Sequence, residues 1–557
     1  MSANLKCTPD PLLLNIANSP DYFMKIISFI ALLSLCTLCV SAQNNSLKGW
    51  HLGDVKSSGY YGISLDEAYL FLKEKHLKSS PVIVAILDDG IDTSHEDLQR
   101  SLWINTNEIA GNGKDDDGNG YIDDVHGWNF LGNPDGRNVT SNSSEWIRVY
   151  WRYKGRYEGV AVDTLQLNRQ QKYEYAMWQK ARSGVVGKGM KEDELNNLRM
   201  YLANAVFCDS LLKQYFPGKE FTAKQLVAYQ PKGKLEKDVK SFFLEVFKQF
   251  NTAGISNNFV IDELGKYVLG EVRRASGDKY PPEDNRREIT GDDEKTAINS
   301  IYGNSDVSNG ELMHGSHLAG IVGADRTNDT GIEGVADNVQ IMMVRTSAEG
   351  DEYDKDIAAG IRYAVDNGAK IINMSFGKSL SPDKKMIDDA VKYALSKDVL
   401  LVQAAGNSKR NIDAFDNFPN PKYLLADSLA PNWITVGASD TLGRAAEFSN
   451  YGSKLVNLFA PGVAIYSTVP GGNKYMSWEG TSMAAPVVTG IAALIRSYFP
   501  SLSASDVKKI LEQSASIPTA ATPTPGTNEK VSFNKLCTSG GIVNAANAVK
   551  LAAGYRQ

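Results

Sequence analysis

Between Pro81 and Val436 the chain repeats one pattern, a short apolar run followed by a stretch with helical spacing. Pro81-Val82-Ile83-Val84-Ala85-Ile86-Leu87 ends in Asp88-Asp89-Gly90, and comparable runs occupy Val339 to Val344, Lys370 to Met374, Val399 to Ala404 and Trp433 to Val436. A continuously apolar run fits a strand covered on both faces. Parallel strands meet that description, because each needs a crossover connection whose helix lies on the sheet. Asp356 to Asn367 and Lys384 to Ser396 supply such crossovers. The pattern predicts an α/β fold, doubly wound around a central, mostly parallel sheet, with ligand chemistry at the carboxyl ends of the strands.

From Asn138 to Arg287 the pattern changes to longer polar and aromatic segments with helical spacing, such as Leu195, Leu198, Leu202 and Ala205. This block reads as a mainly helical inserted subdomain, residues 138–287, dividing the α/β domain into 81–137 and 288–553. Ser503 to Gln513 reads as a capped helix and Ile542 to Ala553 as a final one. Near the start, Lys25 precedes an apolar run from Ile26 to Val40, then Val40-Ser41-Ala42 and a polar stretch from Gln43. That is the anatomy of a signal peptide, 1–42, with Met24 as an alternative start, followed by a short N-terminal extension, 43–80. The run is shorter than the ~20 residues a spanning helix needs, so a secreted protein without a stable membrane span is expected, periplasmic or extracellular. A formal net charge of -6 and the absence of long basic runs argue against a nucleic-acid role. Cys208 and Cys537 remain after the leader, and sequence leaves open whether they pair. The oligomeric state is not legible.

Three segments stand out in the order Asp, His, Ser: Val84 to Asp92 around Asp88, His314-Gly315-Ser316-His317-Leu318-Ala319-Gly320, and Gly480-Thr481-Ser482-Met483-Ala484-Ala485-Pro486. Together they resemble the signature motifs of the subtilisin-like serine peptidases, and this chain order is the one associated with subtilisin. The resemblance implies a subtilisin-like doubly wound sandwich and a secreted endopeptidase acting on protein or peptide substrates. Asp88, His314 and Ser482 would form its triad. Ala404-Ala405-Gly406-Asn407 resembles the segment whose Asn side chain binds the oxyanion, which assigns Asn407 that duty with Ala405 and Gly406 beside the substrate. Asn373-Met374-Ser375-Phe376-Gly377 resembles the family's substrate strand and implies Met374, Ser375, Phe376 and Gly377 as substrate-binding residues. His317, one turn beyond His314, has no Glu or Cys at zinc spacing and reads as structural. A catalytically silent binding protein on the same scaffold is the competing reading, and the complete set of active-site residues counts against it.

The segment Asn112 to Asp124 concentrates carboxylates and glycines. Alternate Asp115, Asp117 and Asn119, a Tyr121 carbonyl, and Asp123 or Asp124 are spaced as a loop wraps a hard, oxygen-seeking ion such as Ca2+. The competing reading is a solvated acidic loop. A second calcium position is implied by resemblance at Asp97, with Asn328 joining from the loop after the His motif, where Arg326 is an awkward neighbour. The chain departs from the resemblance in the insertion, in the shortness of 43–80 as a folding propeptide, and at Asp89. There it has an acid like the proprotein-convertase branch, read either as solvent-exposed or as facing substrate.

Overall fold

The computed structural model describes residues 47–250, 255–282, 285–293, 301–308 and 313–555. The expected signal peptide lies outside the described residues. Seven strands form the central sheet: β1 Val82–Asp88, β2 Gly127–Asn129, β3 Val339–Arg345, β4 Ile371–Met374, β5 Leu400–Ala404, β6 Trp433–Ser439 and β7 Leu458–Pro461. Their order is β2-β3-β1-β4-β5-β6-β7, and each neighbouring pair is parallel. The apolar runs therefore become strands nearly residue for residue. β2 and β7, too short or too mixed to signal themselves, complete the edges. A separate antiparallel hairpin joins β8 Ile465–Val469 to β9 Lys474–Trp478.

The longer helices among the described residues, in chain order, are α1 Leu65–Glu74, α2 Glu145–Tyr157, α3 Arg169–Val185, α4 Glu192–Leu212, α5 Lys234–Lys248, α6 Asn257–Ser276, α7 Met313–Gly323, α8 Asp354–Asp366, α9 Lys384–Ser396, α10 Thr481–Tyr498, α11 Ala504–Gln513 and α12 Ala545–Gly554. α12 begins three residues later than its apolar run suggests, because Asn544 caps it by accepting from the Asn547 N–H. The period of two along β1 sorts the layers. Val84 and Ile86 enter the core that α7, α10, α11 and α12 cover, whereas Ala85 and Leu87 enter the one beneath α8 and α9. Residues 47–80 join the first core through Trp50, Ile63, Leu65 and Leu72, and the Trp50 indole donates to the Val463 carbonyl at 3.1 Å.

The block from 138 to 287 is helical, α2 to α6, with two small cores of its own. Leu195 and Ala205 are buried, and Leu198 and Leu202 half-buried, in α4. α4, α5 and α6 close around Phe221, Phe243, Val246 and Leu264, while α2 and α3 close around Tyr150, Tyr153 and Trp178. The Trp151 indole donates to the Gly277 carbonyl at 2.8 Å, tying the end of α6 to α2. Cys208 and Cys537 are buried free thiols in separate cores, which answers the pairing question. Burial pushes each up to about 11. No helix among the described residues is long and apolar enough to cross a membrane.

Burial also lowers two imidazoles on the α7 side of the sheet, His51 to about 4 and His317 to about 3. Both stay neutral in the fold, whereas an unfolded chain takes up their protons below pH ~6.5. Their stabilisation is complete above that value and is lost as pH falls, at ~1.4 kcal/mol per pH unit for each group, down to their folded values. The raised carboxyls of Asp124, Glu145 and Glu352 act in the opposite sense, so only a comparison isolates the histidine. His51→Leu should gain stability relative to the parent as pH falls from 6.5 to 4. Denaturant midpoints across that range check it, and a gap independent of pH would contradict it.

Candidate active site

Asp88 is the last residue of β1, and its side chain is 3% exposed. Its Oδ1 accepts from the Asp89 N–H at 2.9 Å and from His314 Nδ1 at 2.8 Å. His314 stands in the first turn of α7, 226 positions away in the chain. Close approach of that turn to the loop after β1 demands glycine at 315, where a Cβ would meet the Gly90 carbonyl at 2.1 Å. The hairpin clamps the same helix from its other side, with Ser467 Oγ donating to the His317 carbonyl and Thr468 Oγ1 to that of Ser316, both at 2.7 Å. His317 is structural, as its sequence position suggested. It lies stacked on Trp478 with ring centres 5.0 Å apart, and its Nε2 meets the Met476 carbonyl at 3.0 Å.

Asp89 is half-buried, with both of its carboxylate oxygens engaged by backbone. Its two carboxylate oxygens accept from the backbone N–H groups of His314, at 3.3 Å, and Gly315, at 2.8 Å, so it caps the catalytic-type helix. Burial first, and then the charge of Asp88, raise its carboxyl. Burial would hold the His314 imidazole down, but the charge and hydrogen bond of Asp88, with Asp89 and Glu352 nearby, outweigh it and raise it to about 9.

Ser482 is the second residue of α10, which packs against α7, so its N–H points out of a helix N-terminus. Its hydroxyl donates to the Ser375 carbonyl at 2.9 Å, and among the described residues no hydrogen bond joins it to His314. Ser375 returns the contact, its Oγ donating to the Ser482 carbonyl at 3.0 Å. Asn407 follows the turn after β5. Its Oδ1 accepts from the Thr481 N–H at 2.9 Å and Thr481 Oγ1 at 2.8 Å, which leaves its NH2 facing outward beside Gly480. Thr481 Oγ1 also accepts from the Gly406 N–H at 3.0 Å. Sequence reading passed over Thr481, although it sits inside the Ser motif and its hydroxyl orients the amide.

Residues 79–539 match the profile described as the subtilase family. This chain belongs to that family. It is 39% identical over 219 residues to the thermophilic serine proteinase of Bacillus sp. (strain AK1), covering 39% of this chain and 49% of that protein. It is 40% identical over 203 residues to subtilisin DY of Bacillus licheniformis, covering 36% and 70%. With thermitase of Thermoactinomyces vulgaris the identity is 37% over 239 residues, covering 42% and 75%. The match thus spans about half the length of the AK1 proteinase.

In this subtilase β1 stops at Asp88 while the chain beyond its two neighbours runs on, as 346–351 after β3 and 375–378 after β4. Two strand spacings separate β3 from β4, about 9–10 Å, so the gap in line with β1 is one strand wide. Lys378 pairs both main-chain groups outward with Phe418, and Glu349 pairs outward with Thr140 and Asn142. Alternation then turns the main-chain groups of Ser375 and Gly377 into the gap. Of the sequence-predicted substrate residues, Met374 is a correction. As the last residue of β4 its side chain points the other way and is fully buried beneath α8 and α9. Ala405 is buried as well, its carbonyl taken by Asn417 and Asn450. Phe376 is half-buried against the same core as Met374.

In the acidic loop, carboxylate oxygens of Asp115, Asp117 and Glu108 lie within 4.8 Å of one another, a group that could hold a metal ion. Glu108 was missed because it precedes the Asp run, and the chain folds it back so that its Oε1 accepts from the Asp116 N–H at 2.8 Å. The all-oxygen donor set fits a hard cation, and three carboxylates so close repel without one. The other predicted side-chain ligands have hydrogen-bond partners of their own, and Asn119 and Asp124 lie beside Asp117 through the amides of Asn119 and Asn105. Asp123 accepts from the Asn112 and Gly113 N–H groups, Asn119 Oδ1 from the Tyr121 N–H, and buried Asp124 from Asn105 and the Tyr363 hydroxyl. The Tyr121 ring packs edge-on to Trp128 and Tyr363. Asp97 and Asn328 do meet, at 2.6 Å, but Asn328 donates its amide there, and the other Asp97 oxygen accepts from Ile332 N–H and the Tyr475 hydroxyl. Arg326 is turned away to Glu333 and the Gly334 carbonyl.

Asp89 carries one of the charges that raise His314. Asp89→Asn keeps an oxygen for the Gly315 N–H and removes the charge, so His314 should lose its proton at lower pH. The acid limb of the kcat/KM profile should move down the pH scale, and an unmoved limb would show that Asp89 does not act on His314.

Proposed function

We propose that this subtilase is a secreted serine endopeptidase that cleaves proteins or peptides through Asp88, His314 and Ser482. The supporting observation is the convergence, at one end of the sheet, of the Asp88–His314 contact, a serine at a helix N-terminus and an Asn407 amide clamped by Thr481. On this reading Ser482 Oγ swings from the Ser375 carbonyl to His314 Nε2, gives up its proton and attacks the substrate carbonyl. Asp88 holds the Nδ1–H and favours the imidazolium. The Ser482 N–H and Asn407 NH2 receive the oxyanion, and His314 hands its proton to the leaving amine before water releases the acyl group. The raised imidazole favours work at alkaline pH, where it is neutral and can act as base. The substrate's acyl side adds as a strand in the gap, against Ser375 and Gly377.

The reading also takes residues 1–42 as a removed signal peptide, with Met24 a possible start, and treats 138–287 as an inserted subdomain. That block has a foot on either side of the cleft. Leu380 and Phe418 beside the substrate strand enter the α2–α3 core, and Met476 of β9 packs against the α4–α6 core. A calcium ion on Glu108, Asp115 and Asp117 would neutralise their repulsion and staple the loop before β2. Asp97 and Asn328 are kept as a structural hydrogen-bonded pair.

Ser482→Ala should keep the fold and lose activity by roughly 10⁴ to 10⁶ in kcat, and Asn407→Leu by roughly 10² to 10³, since the Ser482 N–H remains. Labelling by a fluorophosphonate, which needs an activated serine, separates this enzyme from a silent binding protein. An unlabelled, inactive but folded parent would sink the proposal. A calcium chelator should lower the melting temperature, because an ion bound only by the folded state contributes about 2.7 kcal/mol at a hundredfold excess over Kd. Glu108→Gln should reproduce part of that loss, and melting curves insensitive to both would leave a solvated loop.

A further inference from the structure

The strand-wide gap has a far end, and the insertion stands on it. Three residues beyond Ser375 comes Lys378, whose side chain is 1% exposed. Its Nζ lies 2.7 Å from Glu145 of α2 and 2.7 Å from Asp354 at the start of α8. The same ammonium donates to the Glu352 carbonyl at 2.8 Å. Lys378 belongs to one rim of the gap and Glu352 to the other, so this side chain crosses from rim to rim. One turn along α2 from Glu145, Arg148 donates to the Asp351 and Glu352 carbonyls at 3.0 and 3.2 Å. Its guanidinium lies 4.0 Å from the centre of the Tyr353 ring. The docking continues outward along 379–383. Arg152 makes a two-pronged pair with Asp383 at 2.6 and 2.8 Å, Tyr173 donates to the Ser381 carbonyl at 2.8 Å, and Lys180 donates to that of Ser379 at 2.8 Å.

Such a joint does not open readily. Withdrawing α2 would break the Glu145 contact to Lys378, both Arg148 contacts to the Asp351 and Glu352 carbonyls and the Arg152–Asp383 pair together, and would open the buried Lys378–Asp354 pair to water. The insertion is therefore fixed at this end and is not a loose flap.

From these contacts we infer that the insertion closes the acyl-side end of the substrate gap, so the enzyme reads about three residues before the cleaved bond and gains nothing from a fourth. The inference rests on the peptidase reading above. Residues opposite Ser375 and Gly377, with the one between them, fill about 10 Å at the ~3.3 Å rise of a strand. A fourth residue would lie over the buried Lys378 side chain, which takes the face of the sheet that Met374 and Phe376 share and fills the floor beneath that position. The expected substrate is one that presents a short extended segment and then turns away from the cleft, and a long strand laid through the gap is excluded.

The test uses the full chain and a series of N-acetylated peptides with one to six residues before a fluorogenic leaving group. Acetylation keeps terminal charge constant. The expected result is that kcat/KM climbs through the third residue and then changes by less than about threefold to the sixth. A gain of about threefold or more at the fourth or fifth residue would overturn the closure. The paired change Lys378→Gly with Glu145→Gln removes the crossing without leaving an unmatched charge at 145, and in a variant with a cooperative melt it should restore a gain at the fourth residue. A folded double variant with the parent's flat profile would show that something else limits length, and would overturn the assignment to Lys378. If that variant does not fold, the parent's series decides alone. No hydrolysis of any peptide together with no fluorophosphonate label would defeat the peptidase reading, and this inference with it.

Discussion

Everything at the active end of this molecule follows from where β1 stops. It lies inside the sheet, between β3 and β4, and both neighbours continue past its last residue. A central strand that ends early leaves unpaired main-chain groups on its neighbours, and buried unpaired groups are costly, so such a gap persists where something else fills or bounds it. The same termination puts Asp88 at the lip of the gap with its carboxylate already used, one oxygen by the next N–H and by His314. The Asp88–His314 contact and the strand-wide gap are two consequences of one strand boundary.

Around that boundary the chain spends carboxylates on backbone as much as on charge. Asp89 caps the helix that carries His314, and Asp97 gathers Asn328, Ile332 and Tyr475. In the acidic loop Asp115 accepts from three successive turn N–H groups, those of Gly118, Asn119 and Gly120. Glu108 and Asp117 also accept N–H donors, and what separates their group from the Asp97 pair is that three carboxylates, Glu108, Asp115 and Asp117, bring oxygens within 4.8 Å of one another.

The insertion is held differently from the core it sits on. The sheet is apolar on both faces, but α2 and α3 are joined to it by buried or half-buried ion pairs, Lys378 with Glu145 and Arg152 with Asp383 among them. Ion pairs out of water contribute little net stability compared with apolar contact, yet each fits one geometry and penalises any other. A helical block docked in this way has a fixed position against the sheet, which is what the boundary on substrate length proposed above requires.

Sequence by itself determined the parallel sheet, the crossover helices and the three motif positions, because a doubly covered strand needs an unbroken apolar run and each motif is a short contiguous string. The run from Val82 to Leu87 and the helix from Lys384 to Ser396 are examples, and both appear within a residue or two of where the pattern put them. The helical character of 138–287 was also legible in its spacing. Tertiary structure alone decided which oxygen of which residue meets which partner. Glu108 reaches the acidic group from outside the Asp run, Met374 turns into the core by the parity of one strand residue, and Thr481 aims Asn407 across 74 positions of chain. No sequence pattern marks Lys378, and its burial between Glu145, 233 positions earlier, and Asp354 depends on how the helical block packs against the sheet domain. Local strings carry backbone preference and burial period, while side-chain direction and long-range pairing arise only when the layers close, because each contact is chosen against every other group that the same packing brings near.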